Sequence, residues 1–409
     1  MSGKLSKKYK GATVSHILKQ EKMNEKQHIP NGYKSSPLGI IPEDWEVKRL
    51  GEICTHFKSG NTITSKEISE EGLYPVYGGN GLRGYSNTYT HEGNYILIGR
   101  QGALCGNINY VEGKNYISEH AIAVQTNENM QWLKYKLENW NLNRFSESSA
   151  QPGLSVEKLV RYKLSVPTLK EQNKIAEILS LWDTAIAKQT ALIEKLTLRK
   201  RGLIQQLLTG KKRLKGFEGE WKRIKAGEIF KSISVKGNGS DILLSATQEH
   251  GVIPRDQLEG RVTMPTGDTN SFKLVEVGDF VISLRSFQGG LEYSEHRGIV
   301  SPAYTVLKPI VEIDKTFYRY YFKSAEFIGH LAIAVIGIRD GKQISYDDFC
   351  FVKIPYPNIE EQKAISSILL QADKEIEIQK QKLSSLLEQK KGLMQVLLTG
   401  KRRIKKMEE

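Results

Sequence analysis

The sequence predicts an α+β protein in which two α/β domains are joined by two long antiparallel coiled-coil helices, with a pseudo-two-fold internal repeat relating its halves. The first observation is that residues 167–214 and 357–404 align without a gap, with about 20 of 48 positions identical. The second is that the pattern W-x5-G-E-I opens each half, at Trp45 and at Trp221. The third is that the material between these matches shares little identity. The order along the chain is therefore variable, shared, variable, shared.

The repeat divides the chain into five segments. Each shared segment follows a variable one, and a polar, lysine-rich stretch precedes the first match. The predicted boundaries are 1–34 for a polar extension, 35–166 for the first variable domain, 167–213 for the central helix, 214–356 for the second variable domain and 357–409 for the last helix.

Composition excludes several classes of protein. The chain has 409 residues, of which 39% are hydrophobic, so it is long enough for two or more cores. It has no apolar run long enough to span a membrane and no apolar leader at its start, which argues against a membrane or secreted protein. Cys54, Cys105 and Cys350 are scattered singly, without metal spacing. We therefore expect a cytoplasmic protein in a reducing compartment.

The formal net charge of +14 suggests a polyanion as partner, because lysine and arginine neutralise phosphates and release counterions. Part of this charge lies in the polar residues 1–40, which carry few apolar side chains. On composition alone, a nucleic-acid-binding protein and an ordinary basic protein both stay open.

Each shared segment carries a heptad pattern, in which seam positions alternate spacings of four and three. Even its polar interruptions recur, since a glutamine and a lysine stand at the same register in both copies. Because neither helix can bury its stripe alone, we expect the two to pair, in antiparallel fashion; a generic dimerisation rod is the alternative. The predicted seam is Ile175, Leu179, Trp182, Ile186, Gln189, Ile193, Leu196, Lys200, Leu203 and Leu207, repeated as Ile365, Leu369, Ala372, Ile376, Gln379, Leu383, Leu386, Lys390, Leu393 and Leu397.

The ends of these helices are also marked. We predict that the helices begin after Pro167 and Pro357, and that they end at Gly210 and Gly400, since glycine suits a left-handed C-cap. A basic tripeptide follows each glycine, and it can either contact phosphates or stabilise the helix C-terminus through the macrodipole. The structural role is slightly favoured.

The variable segments change to short β-like runs separated by Gly, Asn and Ser turns, followed by an aromatic-rich helical stretch. We interpret each as a compact α+β domain. The predicted strands are 73–77, 95–98, 117–124, 242–244, 280–284 and 304–307, and the predicted helices are 130–140 and 316–330.

Polar and aromatic side chains cluster at predicted turns and strand ends of both domains. Residues 79–84 form G-x-G-x-x-G, but strand and turn residues follow where a dinucleotide site needs a helix. Because Arg pairs with guanine, Asn or Gln with adenine, and aromatic rings stack, such sets can read bases or hold phosphates; each residue taken singly also fits an ordinary polar turn. The candidates are Tyr77, Asn80, Arg83, Tyr85, Arg100 and Gln101 in the first domain, and Thr247, Gln248, Arg255, Arg261, Arg285, Ser286, Gln288 and Arg339 in the second.

Catalytic patterns are missing from the sequence. It has no N-P-P-Y tetrapeptide of amino-methyltransferases, and the glycines around 337–342 lack the spacing and the Ser or Thr of a Walker A loop. The eight histidines show no paired metal spacing. The sequence therefore predicts a recognition protein that is not an enzyme and holds neither a metal nor a cofactor of its own.

The order of parts resembles the specificity subunit of type I restriction-modification enzymes. Each long helix begins near P-x-x-x-E-Q and ends in L-L-T-G-K-x-R, and the resemblance covers about residues 35–405. The residues that carry it are Pro167, Glu171, Gln172 and 207–211, then Pro357, Glu361, Gln362 and 397–401, with the domain openings 41–45 and 216–221 and the phrases 74–81 and 286–290.

This resemblance implies that each variable domain is a target recognition domain, which reads one half of a bipartite, asymmetric site in double-stranded DNA. The coiled coil would set the spacer between the half-sites. Two modification subunits, with S-adenosylmethionine, would methylate adenine, and restriction subunits, with ATP and Mg, would cut unmethylated DNA in phage defence. A coiled-coil scaffold that organises protein partners without reading DNA is the alternative; it predicts no steep salt dependence of DNA binding. A fused single-chain restriction-methyltransferase is disfavoured by the missing catalytic motifs.

Overall fold

The computed structural model describes residues 29–102, 104–146, 153–236, 241–258, 269–334 and 344–404. Strands and helices are numbered here in chain order. The strands are β1 (Tyr33–Ser36), β2 (Gly39–Pro42), β3 (Glu46–Arg49), β4 (Cys54–Ser59), β5 (Tyr74–Gly78), β6 (Gly81–Ser86), β7 (His91–Glu92), β8 (Tyr95–Gly99), β9 (Ile108–Val111), β10 (Lys114–Ile117), β11 (Ala121–Thr126), β12 (Lys163–Val166), β13 (Lys222–Lys225), β14 (Phe230–Ile233), β15 (Leu244–Thr247), β16 (Gly251–Pro254), β17 (Lys273–Val275), β18 (Phe280–Ile282), β19 (Glu292–Tyr293), β20 (Gly298–Val300), β21 (Thr305–Pro309) and β22 (Lys353–Tyr356). The helices are α1 (Leu50–Ile53), α2 (Met130–Asn139), α3 (Val156–Leu159), α4 (Leu169–Leu207), α5 (Ala226–Ile229), α6 (Ser286–Gly289), α7 (Lys315–Tyr321), α8 (Ala325–Ala334), α9 (Tyr346–Phe351) and α10 (Ile359–Leu397).

The chain forms two compact units, and each contains parts of both long helices. The first unit consists of Met1–Ala187 with Ser384–Glu409, and the second of Lys188–Leu383. The predicted α+β class with two long helices is confirmed. In the described part of the chain, neither long helix nor any other is apolar enough over its length to cross a membrane.

The first unit is built on an antiparallel sheet with the order β4-β11-β8-β9, beside a second sheet with the order β6-β5-β10-β7. Alternate residues of β8 and β11 face opposite sides, as a strand requires. One face packs on α2 and on the ends of the long helices, through Ile96, Ile98, Trp132, Leu179 and Leu397. The other face, which includes Leu97 and Ala123, packs against Ile117 of β10 in the second sheet.

The second unit repeats the first sheet with the order β14-β21-β18-β19. Its core is more aromatic, since Phe230, Phe280 and Phe322 make edge or tilted contacts with centroids 5.1 to 5.5 Å apart. Leu207 of α4 and Ile365 of α10 complete this core. Each unit also closes on a two-stranded ladder that leads into a long helix, β12 with β3 in the first and β22 with β13 in the second.

The long helices run antiparallel within each unit. In the first, Lys390 Nζ lies 2.5 Å from Asp183 Oδ1, and Arg403, past the end of α10, binds Glu171 at the start of α4. As the position on α4 moves towards its N-terminus, the partner on α10 moves towards its C-terminus, which defines an antiparallel pair.

The second unit has the same arrangement with the helices exchanged. Gln189 Nε2 donates to Gln379 Oε1 at 2.9 Å, and Arg213, past the end of α4, binds Glu361 at the start of α10. All predicted seam positions are buried or half-buried in the structure. At the helix ends, however, the seam is not shared by the two helices alone, since Ile175, Leu179, Leu207, Ile365, Leu369 and Leu397 belong to the cores of the units.

Glycine ends both helices as predicted. Gly210 and Gly400 have φ of +71° and +73°, the left-handed region that favours glycine. The backbone N–H of Lys212 donates to Gln206 O, and that of Arg402 donates to Val396 O, so each pair closes the last turn.

Some predicted elements were wrong in their extent. Residues 117–124 form two strands, because the Ala121 N–H donates to Ser118 O and turns the chain. Residues 316–330 form α7 and α8, because Ser324 Oγ accepts from Phe327 N and starts a new helix. Where a strand was predicted at 242–244, the observed strand β15 begins only at Leu244. Where one was predicted at 280–284, the observed strand β18 ends at Ile282. The remaining predicted strands and the helix 130–140 are confirmed within two residues.

Candidate nucleic-acid interface

The tip of the β5–β6 hairpin lies against the end of β8. A Cβ on Gly99 would lie 2.5 Å from Gly79 O, so the two backbones approach as only glycine permits. Backbone hydrogen bonds connect both segments to the loop between β10 and β11, since Ser118 N donates to Tyr77 O at 2.9 Å and Arg100 N donates to His120 O at 2.9 Å. Two predicted groups of residues, distant in sequence, are therefore joined into one surface, which we call reading surface 1.

The side chains of reading surface 1 differ in exposure. Asn80, Arg83 and Gln101 are exposed, while Tyr77 and Arg100 are half-buried. Exposed amide and guanidinium groups beside an aromatic ring are suited to base edges and phosphates. Tyr85 is also half-buried, but it pairs with Pro75 at the other end of the hairpin and lies away from the tip.

Sequence reasoning missed one polar residue of reading surface 1. His120 lies in the loop between β10 and β11, where its Nδ1 lies 3.0 Å from Gln101 Oε1 and its Nε2 lies 3.2 Å from Glu119 Oε1. This loop was missed because residues 117–124 were predicted as a single strand. The three consecutive polar residues 118–120 were the signal in the sequence that could have indicated it.

The G-x-G-x-x-G segment forms the hairpin turn and strand β6. The predicted strand after this loop, where a dinucleotide site needs a helix, is therefore confirmed. In the described ranges, no group of three or more His, Cys, Asp or Glu side chains is arranged to hold a metal ion.

In the second unit, three candidates line one open cleft of about 630 Å³, which we call reading surface 2. Thr247 and Gln248 stand at the β15–β16 turn, and Arg285 stands at the N-terminus of α6. Gln248 and Arg285 are exposed. His250 and Tyr304 also line the cleft, and sequence reasoning missed both.

Two of these candidates have hydroxyls that already serve the turns. Thr247 Oγ1 donates to Gly251 O at 3.0 Å and accepts from His250 N at 3.0 Å. Ser286 is 1% exposed, and its Oγ accepts from Ser283 N at 2.8 Å. Ser286 therefore shapes the loop that presents Arg285, and is not itself on the surface.

The other candidates of the second domain either do not line this cleft or lie outside the described residues. Arg255 is half-buried, and its N–H donates to Leu243 O at 2.9 Å. Gln288 is exposed on α6. Arg261 and Arg339 lie outside the described residues.

The E-Q pair at the start of each long helix has a structural use. Glu171 accepts from Trp45 Nε1 at 2.8 Å and from Arg403 Nε at 2.8 Å and Nη2 at 2.9 Å. Gln172 accepts from Asn129 N, the N-cap residue of α2, and donates to Pro167 O. One dipeptide thus ties together the domain opening, the aromatic helix and the end of the other long helix.

The second unit has the equivalent cluster. Glu361 accepts from Trp221 Nε1 at 3.0 Å and from Arg213 Nε at 2.6 Å and Nη2 at 2.7 Å. Gln362 accepts from Asp314 N, the N-cap residue of α7. The third basic residue after each helix is therefore an ion-pair partner, whereas the first two, 211–212 and 401–402, are exposed.

Comparison with known proteins identifies the repeat. The family model for the type I restriction modification DNA specificity domain matches residues 42–198 and again 218–388. The chain is 28% identical over 415 residues to the type I restriction enzyme MjaVIII specificity subunit of Methanocaldococcus jannaschii, covering 90% of this chain and 95% of that protein.

A second relative matches more strongly over a shorter length. The type I restriction enzyme EcoprrI specificity subunit of Escherichia coli is 43% identical over 171 residues, which are 40% of this chain and 42% of that protein. Among solved structures, the type I restriction-modification S subunit from M. genitalium has a similar fold, with a TM-score of 0.55, 17% identity, and 87% of this chain and 96% of that chain covered.

Proposed function

The chain belongs to the family of type I restriction-modification DNA specificity domains, and from this premise we propose that it is the sequence-specific DNA-binding specificity subunit of a type I restriction-modification complex. Each recognition domain reads one half of a bipartite, asymmetric DNA site. The observation that carries the proposal is that the family match occurs twice, while the two reading surfaces combine their polar side chains differently, with Asn80 at the first hairpin turn and Thr247 and Gln248 at the second. Different side chains on equivalent scaffolds read different bases.

The second part of the proposal concerns the helices. Because α4 and α10 pair in antiparallel fashion within both units, they act as the spacer that sets the unread gap between the half-sites. A rigid element between two readers converts protein geometry into half-site spacing. The scaffold alternative is not favoured, since it leaves the twofold match to a DNA specificity family without a use.

The third part concerns partners and chemistry. Two modification subunits carry S-adenosylmethionine and methylate adenine, and restriction subunits supply ATP- and Mg-dependent cleavage. This chain contributes no catalytic group and binds no cofactor itself; it directs the chemistry of its partners. Its location is the cytoplasm.

The proposal is tested by one matched pair of substitutions. Arg83→Ala removes an exposed guanidinium from reading surface 1, and Arg285→Ala removes one from reading surface 2. With the modification subunits present, genome-wide adenine methylation should show relaxed bases in one half-site for the first variant and in the other for the second. Loss of one base contact costs about 1 to 3 kcal/mol of discrimination. A continuous wild-type motif, or relaxation of the same half-site by both variants, contradicts two separate readers.

A further inference from the structure

In the first unit, three elements meet at one aspartate. Tyr135 of α2 donates its hydroxyl to Asp183 Oδ2 of α4 at 2.6 Å. Lys390 of α10 donates to Asp183 Oδ1 at 2.5 Å, and its Nζ lies 5.0 Å from the centroid of the Tyr135 ring. The recognition domain is thus bonded to one long helix at the point where that helix is paired with the other.

The second unit has the same cluster with the helices exchanged. Tyr320 of α7 donates its hydroxyl to Asp373 Oδ2 of α10 at 2.5 Å. Lys200 of α4 forms an ion pair with Asp373, and its Nζ lies 5.2 Å from the centroid of the Tyr320 ring. We call these two groups the tyrosine–aspartate–lysine clusters.

The repetition of this group is informative because its parts come from different kinds of sequence. The aspartates and lysines are repeat equivalents within the shared helices, whereas the tyrosines belong to variable segments with little identity. Two otherwise divergent domains therefore place a tyrosine at the same point on the helix pair.

The geometry favours a positioning role over simple stabilisation. Tyr135 is 1% exposed and Tyr320 is 8% exposed, so packing holds each ring in one rotamer. Hydrogen bonds to an ionised carboxylate are short and directional. An apolar seam accepts neighbouring registers more easily than a polar pair does, since a polar residue at a seam position fixes register. Each cluster thus defines both the rotation and the axial position of the aromatic helix on the helix pair.

Resting on the proposed function, we propose that the two tyrosine–aspartate–lysine clusters are positioning residues for DNA specificity. Each holds its recognition domain in one orientation on the paired helices, and each thereby narrows the range of gap lengths that a complete DNA site can have. None of the six residues reads a base in this scheme.

The experiment uses the full chain with its modification subunits in cells. Tyr135→Phe and Tyr320→Phe, singly and together, keep the buried ring and remove only the bond to the aspartate. Tyr318→Phe is the matched control, because Tyr318 lies on the same helix α7 but donates its hydroxyl to Pro355 O at 2.9 Å. Asp183→Asn is a second variant, which keeps an acceptor for Tyr135 but removes the charge that binds Lys390.

Mapping of adenine methylation is the measurement. We expect unchanged half-sites in every variant and, for the double Tyr→Phe variant, a rise of at least about tenfold in the share of methylated sites whose gap differs by one base pair, because two charge-assisted hydrogen bonds are lost and one alone is worth about a factor of ten. Each single variant should show a smaller rise, and Tyr318→Phe none. Asp183→Asn should relax the gap less than the double variant does.

Three results would overturn the inference. They are a single gap length retained by the double variant, a uniform fall in methylation without new gaps, and altered bases in a half-site. The first two reduce the clusters to ordinary stabilising contacts, and the third makes them readers. A wild-type methylome without a bipartite motif instead refutes the proposed function, which separates the two failures.

Discussion

The two units hold the long helices through equivalent residues of the same type, whereas their reading surfaces are not equivalent residue by residue. The glutamate, tryptophan and arginine of the helix-end cluster are repeated with nearly the same distances, and so is the tyrosine–aspartate–lysine cluster. Both reading surfaces join a hairpin turn to residues that follow a strand, but the first turn presents Asn80 and the second presents Thr247 and Gln248. The contacts that hold the long helices are therefore fixed by the repeat, whereas the surface is free to vary.

The contacts that hold the long helices are not identical in the two units. Arg403 of the first unit also binds Asp44, with distances of 2.8 and 2.9 Å to the two carboxylate oxygens. In the second unit, Arg213 instead reaches the backbone carbonyls of Gly219 and Glu218. The residue after each cluster tyrosine also differs, since it is the buried Lys136 in one unit and the buried Tyr321 in the other.

The largest expected effect breaks the helix-end clusters. Glu361→Ala leaves the partly buried Arg213 without its carboxylate and Trp221 without its acceptor, so the second unit should lose about 3 kcal/mol of unfolding free energy. Glu171→Ala should cost less, because Arg403 keeps Asp44. Urea unfolding followed by hydrogen exchange on peptides of each unit measures both. Equal losses would show that Asp44 adds nothing to the first cluster.

The next prediction concerns the position after each cluster tyrosine, which is Lys136 in the first unit and Tyr321 in the second. Lys136 is 4% exposed and donates to Ser165 Oγ and Leu398 O, and burial lowers the pKa of its ammonium to about 7. The unfolded chain then binds more protons than the folded one between about pH 7 and 10, so this lysine should make stability rise with pH, by up to about 1.4 kcal/mol per unit.

Lys136→Met tests this pH dependence. The unfolding free energy of the wild type minus that of the variant should increase from pH 7 to 9, as measured by urea titration at each pH. Hydrogen exchange measured on peptides of the second unit, which has Tyr321 at the corresponding position, serves as the internal control. A difference that is constant with pH would mean that Lys136 keeps an ordinary pKa in the folded state.

The smallest effect concerns the polar pair of the seam. Gln189→Leu alone leaves Gln379 without its partner and should cost about 1 kcal/mol, whereas the double change to Leu should be close to neutral, because both polar groups are then removed. Thermal unfolding of the two single variants and the double variant gives the coupling between the residues. Additive losses would show that the two side chains do not depend on each other.

The helices were predictable because their signal is local and repeated. The seam spacing, the proline before each helix and the glycine after it each depend on residues only a few positions apart in the sequence. The partners of the seam lysines were not predictable in this way. Asp183 and Asp373 recur at the same offset, yet only the paired backbones show that each faces a lysine of the other helix.

The reading surfaces were predictable only as residue types. The sequence placed Arg83 and Arg100 among the candidates, but the contact between Gly79 and Gly99 that joins their loops needs two strands far apart in the chain to meet. Ser286 was predicted beside Arg285, and its burial follows from the turn that its own hydroxyl forms with Ser283. Hydroxyl residues serve turns and ligands with the same chemistry, so spacing cannot separate the two uses.

Periodicity and internal identity are properties of the chain, so the repeated pair of domains and heptad helices could be inferred without any knowledge of the fold. The residues that hold each domain are known only from the folded chain, because Trp45, Glu171 and Arg403 are brought together from three distant segments. Their contact depends on the antiparallel alignment of two helices, and alignment is a relation between segments that no local pattern contains.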